Sequence, residues 1–137
     1  MMVPLEGGCL CGAVRYRVTA EPVDACYCHC RMCQKTSGAP VVAWGNVPIE
    51  GFAFTKGAPV SHQSSPKGIR HFCGACGTRL TFRYAEGPTT VYINLATLDD
   101  PEAIKPDYHI WTASQLGWFE TTDNLPRYAD DGPDTFP

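Results

Sequence analysis

With 137 residues, the chain has the size of one domain whose moderate core would benefit from a metal or disulfide staple. Its 44% hydrophobic and 18% charged residues are typical of a soluble globular protein, and no apolar stretch approaches the roughly 20 residues that cross a bilayer. The net charge of -3 gives no generic attraction to phosphate backbones or anionic lipids, so we expect neither nucleic acid nor a membrane as partner. The first residues contain neither a basic region nor an apolar run of signal-peptide length, which predicts a reducing, cytoplasmic location.

Short β-strands dominate the predicted elements, because Gly and Pro punctuate the whole chain. In residues 13–19, Val14, Tyr16 and Val18 alternate with two arginines, which is the pattern of a strand with one buried face. Segments rich in β-branched and aromatic residues predict further strands at 39–45, 48–54, 68–73, 78–84 and 90–96, with a kink at Gly51.

Very little helix is predicted. Residues 31–38 suggest a single turn closed by Gly38, and residues 99–104 begin with a capping Asp and a Pro suited to the first helical position. Residues 126–137 are acidic and rich in Pro and Gly, so we expect a tail that is mobile or at most laid along the surface. The sequence thus predicts one mainly β domain over 1–125, followed by the acidic tail 126–137.

Two of the three cysteine groups resemble metal knuckles. Cys9 and Cys11 form a C-x-C pair, and Cys73 and Cys76 form a C-x-x-C pair, both flanked by glycines that let backbone N–H groups turn toward the sulfurs. Joining the pairs would give a closed four-thiolate site, which is typical of structural zinc. A redox C-x-x-C, disulfides between groups, and iron in place of zinc are the alternatives that the spacing leaves open.

The third group, Cys26, Cys28, Cys30 and Cys33, places four thiols within eight residues. In an extended chain the first three point to one side, and a tight turn after Cys30 would return Cys33 toward them. If Cys28, Cys30 and Cys33 bind a second zinc and Cys26 is a small buried hydrophobe, the metal keeps an open position and is catalytic. If Cys26 is a fourth ligand, the site is closed.

An open three-thiolate zinc favours a substrate thiol, which would bind as a thiolate ready to attack a small electrophile such as an aldehyde. His29, Arg31 and Lys35 are candidate donors to the added negative charge, and solvated surface positions are the alternative. We expect His109 and Trp111 to share one face of a strand, His109 either as a structural residue or facing a substrate carboxylate. Core packing is expected for Trp111 and Trp118, and an aromatic wall near the second cysteine group, to which Phe119 would also contribute, is the alternative.

The ordered segments GGCLCGAVRY, CHCRMCQKTSGAP, HFCGACGTRLTF and LDDPEAIKPDYHIWTASQLGW resemble the glutathione-dependent formaldehyde-activating enzyme family, which includes centromere protein V. The resemblance spans about residues 7–118. It implies a β-tent fold of small antiparallel sheets stapled by zinc, with very little helix. It implies a structural zinc and a catalytic zinc, held by two sets of cysteines: Cys9, Cys11, Cys73 and Cys76, then Cys28, Cys30 and Cys33. Cys26 is a thiol that the family motif does not require.

The activity implied by the resemblance is that of a carbon–sulfur lyase that joins glutathione and formaldehyde to S-hydroxymethylglutathione. The leading hypothesis is therefore a zinc enzyme acting on a small-molecule thiol adduct. A zinc-stapled protein-interaction module without catalysis is the alternative, and a nucleic-acid zinc ribbon is disfavoured because the chain has no basic stripe.

Overall fold

A computed structural model gives the structure of the protein and describes residues 3–133, so the first two residues and the last four of the predicted tail lie outside it. The strands of this part are β1 (Leu5–Gly8), β2 (Arg15–Val18), β3 (Asp24–Cys28), β4 (Val42–Pro48), β5 (Phe52–Lys56), β6 (Val60–Ser65), β7 (Gly68–Phe72), β8 (Arg79–Tyr84), β9 (Thr90–Asn94) and β10 (Tyr108–Ile110). Within the same residues, α1 (Arg31–Ser37) is the one α-helix, and short 3-10 turns occupy Ile49–Gly51, Leu95–Thr97 and Thr112–Ser114. No helix of residues 3–133 has the length and apolar character needed to span a membrane.

The strands form two sheets. A three-stranded sheet has the order β1-β2-β5, and a seven-stranded sheet has the order β10-β3-β4-β9-β8-β7-β6. The predicted mainly β class with very little helix is confirmed. Every pair of neighbouring strands is antiparallel except β10 and β3, which run parallel with Tyr108 beside Cys26 and Ile110 beside Cys28. This parallel pair brings a late segment of the chain to the strand that carries the cysteine run.

The alternation predicted for residues 13–19 is confirmed in β2, where Tyr16 and Val18 are fully buried while Arg17 is exposed. The segments predicted at 39–45, 68–73, 78–84 and 90–96 correspond to β4, β7, β8 and β9. The core between the sheets is built mainly from these strands, and full burial of one such aliphatic side chain stabilises the fold by about 1.5–3 kcal/mol. Its most buried members are Tyr16, Val18, Val47, Leu80 and Ile93.

The single strand predicted at 48–54 is wrong. Pro48 ends β4 in the large sheet, a 3-10 turn covers Ile49–Gly51, and β5 begins at Phe52 in the small sheet. A Cβ at Gly51 would lie only 2.4 Å from the Cβ of Ala20, and the Gly51 carbonyl accepts a hydrogen bond of 2.8 Å from Thr19 N–H. The glycine thus allows the close approach at which the chain crosses from one sheet to the other.

The first predicted helical turn is confirmed and is longer than expected, since α1 covers seven residues and ends at Gly38 in the left-handed conformation. The helix predicted at 99–104 is wrong. Asp100 instead accepts hydrogen bonds from the N–H groups of Glu102 and Ala103, through its carboxylate and its carbonyl, and forms a local turn. Pro106 disfavours the helical conformation at the residue before it, so a helix has no room to continue.

Residues 126–130 lie along β10. His109 N–H donates to the Pro126 carbonyl, Tyr128 N–H donates to the His109 carbonyl, and Trp111 N–H donates to the Asp130 carbonyl, at 2.8–2.9 Å. This is the surface-laid arrangement that was one of the two expectations for the tail. The segment closes the edge of the large sheet next to the cysteine-bearing strand, and the division of the chain at residue 126 stays a prediction.

Candidate functional site

The first cysteine group lies where the ends of β1 and β7 meet. The sulfurs of Cys9, Cys11, Cys73 and Cys76 all lie within 4.8 Å of one another. The Cys9–Cys11 and Cys11–Cys73 sulfur pairs are 3.6 and 3.8 Å apart. Tetrahedral zinc with Zn–S bonds of about 2.3 Å requires sulfurs about 3.8 Å apart, so this group fits such an ion.

Hydrogen-bond donors surround these sulfurs. Val14 N–H donates to Cys9 Sγ at 3.2 Å, and the Thr78 hydroxyl lies 3.2 Å from Cys76 Sγ. The Thr78 side chain lowers the pKa of Cys76 to about 5. Burial raises the pKa of Cys9, but the Val14 N–H and the neighbouring sulfurs outweigh it and lower that pKa overall. The surroundings therefore favour the thiolate form that binds metals at Cys9 and Cys76. The Ala13 backbone N–H lowers the pKa of Cys11, but the sulfurs of Cys9 and Cys76 outweigh it and raise that pKa to about 11.

The second group contains Cys28, Cys30 and Cys33, whose sulfurs also lie within 4.8 Å of one another. Cys28 ends β3, Cys30 is the N-cap of α1, and Cys33 lies in the first turn of the helix. The Cys33 and Cys28 sulfurs are 3.2 Å apart, and Cys33 N–H donates to Cys30 Sγ at 3.3 Å. The predicted tight turn after Cys30 is thus the first turn of α1.

Cys26 does not belong to either group of converging sulfurs in the described chain. It is fully buried in an apolar cluster with Trp44, Tyr92 and Tyr108. Burial raises the pKa of Cys26, so its thiol stays neutral in this environment. These observations favour the expectation that Cys26 is a small buried hydrophobe rather than a fourth ligand.

Hydrogen bonds among the three sulfurs of the second group favour the thiolate at Cys30 and share its negative charge. Hydrogen bonds from the thiols of Cys28 and Cys33 lower the pKa of Cys30. The interaction of Cys28 with Cys30 raises the pKa of Cys28.

Arg70, which is only 5% exposed, places Nη2 3.9 Å from Cys33 Sγ. Its guanidinium also lies 5.1 Å from the centre of the Phe82 ring. Arg70 forms no ion pair with a carboxylate of residues 3–133, so the cysteine group is its nearby anionic partner.

A cavity of about 450 Å³ opens directly on the three sulfurs. Five aromatic side chains form part of its walls, and Lys67, Arg70 and Asp131 supply charged groups. The lining consists of Cys26, Cys28, Cys30, Met32, Cys33, Trp44, Ser65, Lys67, Arg70, Phe82, Tyr84, Tyr92, Ile110, Trp111 and Asp131. A largely apolar pocket with a few converging polar groups is the usual form of a small-molecule site.

The donors that sequence proximity suggested lie elsewhere. Arg31 and Lys35 are exposed on α1 and do not line the cavity, because the helix that turns Cys33 inward turns these positions outward. His29 is fully buried, and its Nε2 lies 2.8 Å from Nδ1 of His109. Since His109 pairs with Tyr27 in the sheet, it lies on the face opposite to Cys26 and Cys28.

The expectation for the two tryptophans is wrong. β10 ends at Ile110, and Trp111 adopts a left-handed conformation with φ of 55°, so it does not share a strand face with His109. Trp111 is 39% exposed and lines the cavity, while Trp118 is 75% exposed. The aromatic wall predicted near the second cysteine group therefore includes Trp111 but takes its other rings from β4, β8 and β9.

Sequence reasoning missed Arg70 and Lys67. Arg70 lies in β7 two residues after Gly68 and two before Phe72, so strand alternation places it on the same face as both. A charged residue in the buried phase of a predicted strand was a signal for a functional role. Lys67 lies in the turn before β7 and gives no such signal.

The chain is similar to several known proteins. The profile of the family described as glutathione-dependent formaldehyde-activating enzyme matches residues 4–114. An uncharacterized lyase of Schizosaccharomyces pombe is 32% identical over 100 residues, which cover 68% of this chain and 67% of the relative. A Halomonas elongata protein with the provisional name glutathione-dependent formaldehyde-activating enzyme is 30% identical over 126 residues, or 85% of this chain and 80% of the relative.

A crystal structure of a Rhodobacter sphaeroides protein has the same fold, with a TM-score of 0.59 and 24% sequence identity. The alignment covers 89% of this chain and 98% of that one. The family profile spans most of the chain, including all three cysteine groups. The chain therefore belongs to the glutathione-dependent formaldehyde-activating enzyme family.

Proposed function

We propose that this protein is a zinc-dependent carbon–sulfur lyase that acts on a thiol adduct at Cys28, Cys30 and Cys33. Glutathione and formaldehyde, which would give S-hydroxymethylglutathione, are the proposed substrates. One observation carries the proposal: the three converging sulfurs form part of the wall of a cavity of about 450 Å³. The four-cysteine group does not line this cavity, which fits a structural role for it.

The donor set of each group suits zinc. Four sulfurs would complete a tetrahedral shell at the first group, while three sulfurs at the second would leave one position for a ligand from the cavity. A zinc ion bound there would supply a site that holds a substrate thiol as its thiolate. We assign the zinc at the first group to folding and that at the second to catalysis.

The cavity residues suit glutathione, which carries two carboxylates and one ammonium group at neutral pH. We propose that Lys67 and Arg70 bind carboxylates or developing negative charge and that Asp131 faces the ammonium group. The aromatic walls would exclude water from the reacting atoms. In the reaction the substrate sulfur bonds to the aldehyde carbon, and the proton lost by the thiol ends on the former carbonyl oxygen.

The test is metal analysis of the purified protein, combined with Cys28→Ser, Cys30→Ser and Cys33→Ser variants and an NMR exchange assay for glutathione and formaldehyde. We expect two zinc ions in the parent protein, loss of one in each variant with the fold intact, and loss of accelerated exchange. Cys26→Ser is the matched control, and it should keep both ions. Unchanged exchange rates in the presence of the parent protein would refute the proposed reaction, and would favour the interaction-module hypothesis.

A further inference from the structure

Two fully buried histidines form a hydrogen-bonded chain with an aspartate beside the second cysteine group. His29 Nε2 lies 2.8 Å from His109 Nδ1, and His109 Nε2 lies 3.0 and 3.1 Å from the two carboxylate oxygens of Asp123. The Tyr27 ring stacks on His109 with a centroid distance of 4.8 Å. None of the three members of the chain lines the cavity, so the proposed reaction does not use them directly.

The hydrogen bonds define how the chain is polarised. The Asp123 carboxylate can only accept, so His109 Nε2 must donate to it. When His109 is neutral, its Nδ1 accepts from His29 Nε2–H, and both rings are fixed in one tautomer. The buried rings of His29 and His109, bonded in this way, lose their freedom to rotate, and Asp123 anchors them at the surface end of the chain.

His29 connects this chain to the cysteine group, because it lies between Cys28 and Cys30 in the sequence. Its N–H donates to the Ile110 carbonyl at 3.1 Å, and its carbonyl accepts from Gln34 Nε2 at 2.8 Å. The backbone N–H, the backbone carbonyl and the side-chain Nε2 of His29 are therefore each held by a neighbour, while its buried Nδ1 has no hydrogen-bond partner among residues 3–133. The hydrogen bond from the His29 side chain to His109 connects His29 to the distant Asp123.

The far end of the chain belongs to the segment that also forms part of the cavity wall. Asp123 Oδ1 accepts from Leu125 N–H at 3.1 Å, and the residues that follow pair with β10. Trp111 N–H donates to the Asp130 carbonyl, and the next residue, Asp131, lines the cavity. The chain thus ties the turn that carries Cys28 and Cys30 to the last described segment.

We propose that His29, His109 and Asp123 are positioning residues that hold the Cys28–Cys30 turn in the geometry required for metal binding. The proposal requires that the three-cysteine group binds a metal, but it does not require the lyase reaction. Loss of a hydrogen-bond partner of a metal ligand typically lowers metal affinity by about 10- to 100-fold. This chain would act on Cys28 and Cys30 through the backbone of His29 between them. The four-cysteine group, which has no link to this chain among residues 3–133, serves as an internal reference.

The decisive comparison uses Asp123→Ala, Asp123→Asn and Asp130→Ala in the full chain. Asp123→Ala removes the acceptor, whereas Asp123→Asn retains a side-chain oxygen that can accept from His109. Asp130→Ala is the matched control, because Asp130 makes a similar local bond to Gly132 N–H in the same segment without touching the histidines. Cobalt(II) competition titrations and cadmium-113 NMR would report the two metal sites separately.

We expect Asp123→Ala to weaken cobalt binding at the three-cysteine site by about 10-fold or more and to move its cadmium signal, with the four-cysteine site unchanged. Asp123→Asn should recover much of this affinity, and Asp130→Ala should behave like the parent protein. His109→Phe should act in the same direction as Asp123→Ala. If the His109→Phe variant fails to fold, the comparison of Asp123→Ala with Asp123→Asn still tests the proposal.

Equal weakening of both sites, or identical behaviour of Asp123→Ala and Asp130→Ala, would overturn the proposal. So would a parent protein whose three-cysteine group binds neither cobalt nor cadmium. If the metal results hold while glutathione and formaldehyde do not react, the positioning role stands and the proposed reaction fails.

Discussion

Replacement of Arg70 by Met tests how the protein stabilises negative charge at the three-cysteine group. The guanidinium lies 3.9 Å from Cys33 Sγ and is almost completely buried. At this distance, an effective dielectric constant of about 20 gives an attraction of about 4 kcal/mol between unit charges. The negative charge is shared among three sulfurs, and the guanidinium loses hydration on burial, so a net effect of about 1.5–3 kcal/mol is expected.

The sign follows from the charges. Arg70 lowers the pKa of Cys30, after the larger effects of Cys28 and Cys33, so its removal should raise that pKa and reduce the thiolate population at a given pH. The expected free-energy change corresponds to about a 10- to 100-fold reduction in thiolate population under conditions where the group is partly protonated.

The assay is the pH dependence of iodoacetamide alkylation of metal-free protein, with the modified cysteines located by mass spectrometry. Arg70→Lys should retain part of the effect, since it keeps the charge but loses the planar guanidinium. Lys67→Met is the control, because it removes a cavity cation that has no hydrogen bond to the sulfurs. Equal alkylation profiles for Arg70→Met and Lys67→Met would refute the electrostatic role of Arg70.

Three further outcomes follow from the structure. Brief treatment with a chelator should remove the metal of the three-cysteine group first, with the circular dichroism spectrum and melting transition retained, because the other group joins distant strands; simultaneous loss of both ions would contradict this. Cys26→Ala should keep the metal stoichiometry and lower the free energy of unfolding by about 1 kcal/mol, measured in urea, since it only removes a buried sulfur from an apolar cluster; loss of one metal ion would identify Cys26 as a ligand. Gly57→Ala should lower the free energy of unfolding by about 1–3 kcal/mol or more, because Gly57 has φ of 72° and an added Cβ would lie 2.1 Å from the Ala13 carbonyl oxygen. Gly77→Ala is the control, because it adds a Cβ at a similar φ but in open space. The difference between the two variants measures the steric contribution.

Local patterns were sufficient to predict β2, β4, β7, β8 and β9 and to group the cysteines as the structure brings them together. The alternation around Tyr16 fixes one face of β2, and the glycines near Cys9 and Cys73 indicate knuckles that the structure brings together. These patterns involve residues close together in the sequence, so they can be recognised without knowledge of the tertiary fold.

Features that depend on distant contacts could not be predicted. Arg31 is next to Cys30 in the sequence but points away from the cavity, whereas Arg70 comes from a strand far along the chain. The pairing of His29 with His109 requires β10 to lie parallel to β3, and no local pattern specifies that register. Tertiary packing also decides the fate of Trp111, whose left-handed backbone is unusual for a bulky residue.

The parallel pairing of β3 with β10 has a consequence for synthesis on the ribosome. His29 and His109 are 80 residues apart, so the cysteine run emerges well before the strand that completes its surroundings. The nascent chain therefore presents these thiols to the cell before they are enclosed. A metal ion that binds the cysteines at that stage would bind an unfolded segment. It would be enclosed only when β10 and the residues after it pack against β3. Metal binding before or after this packing would then be two distinct routes to the folded protein.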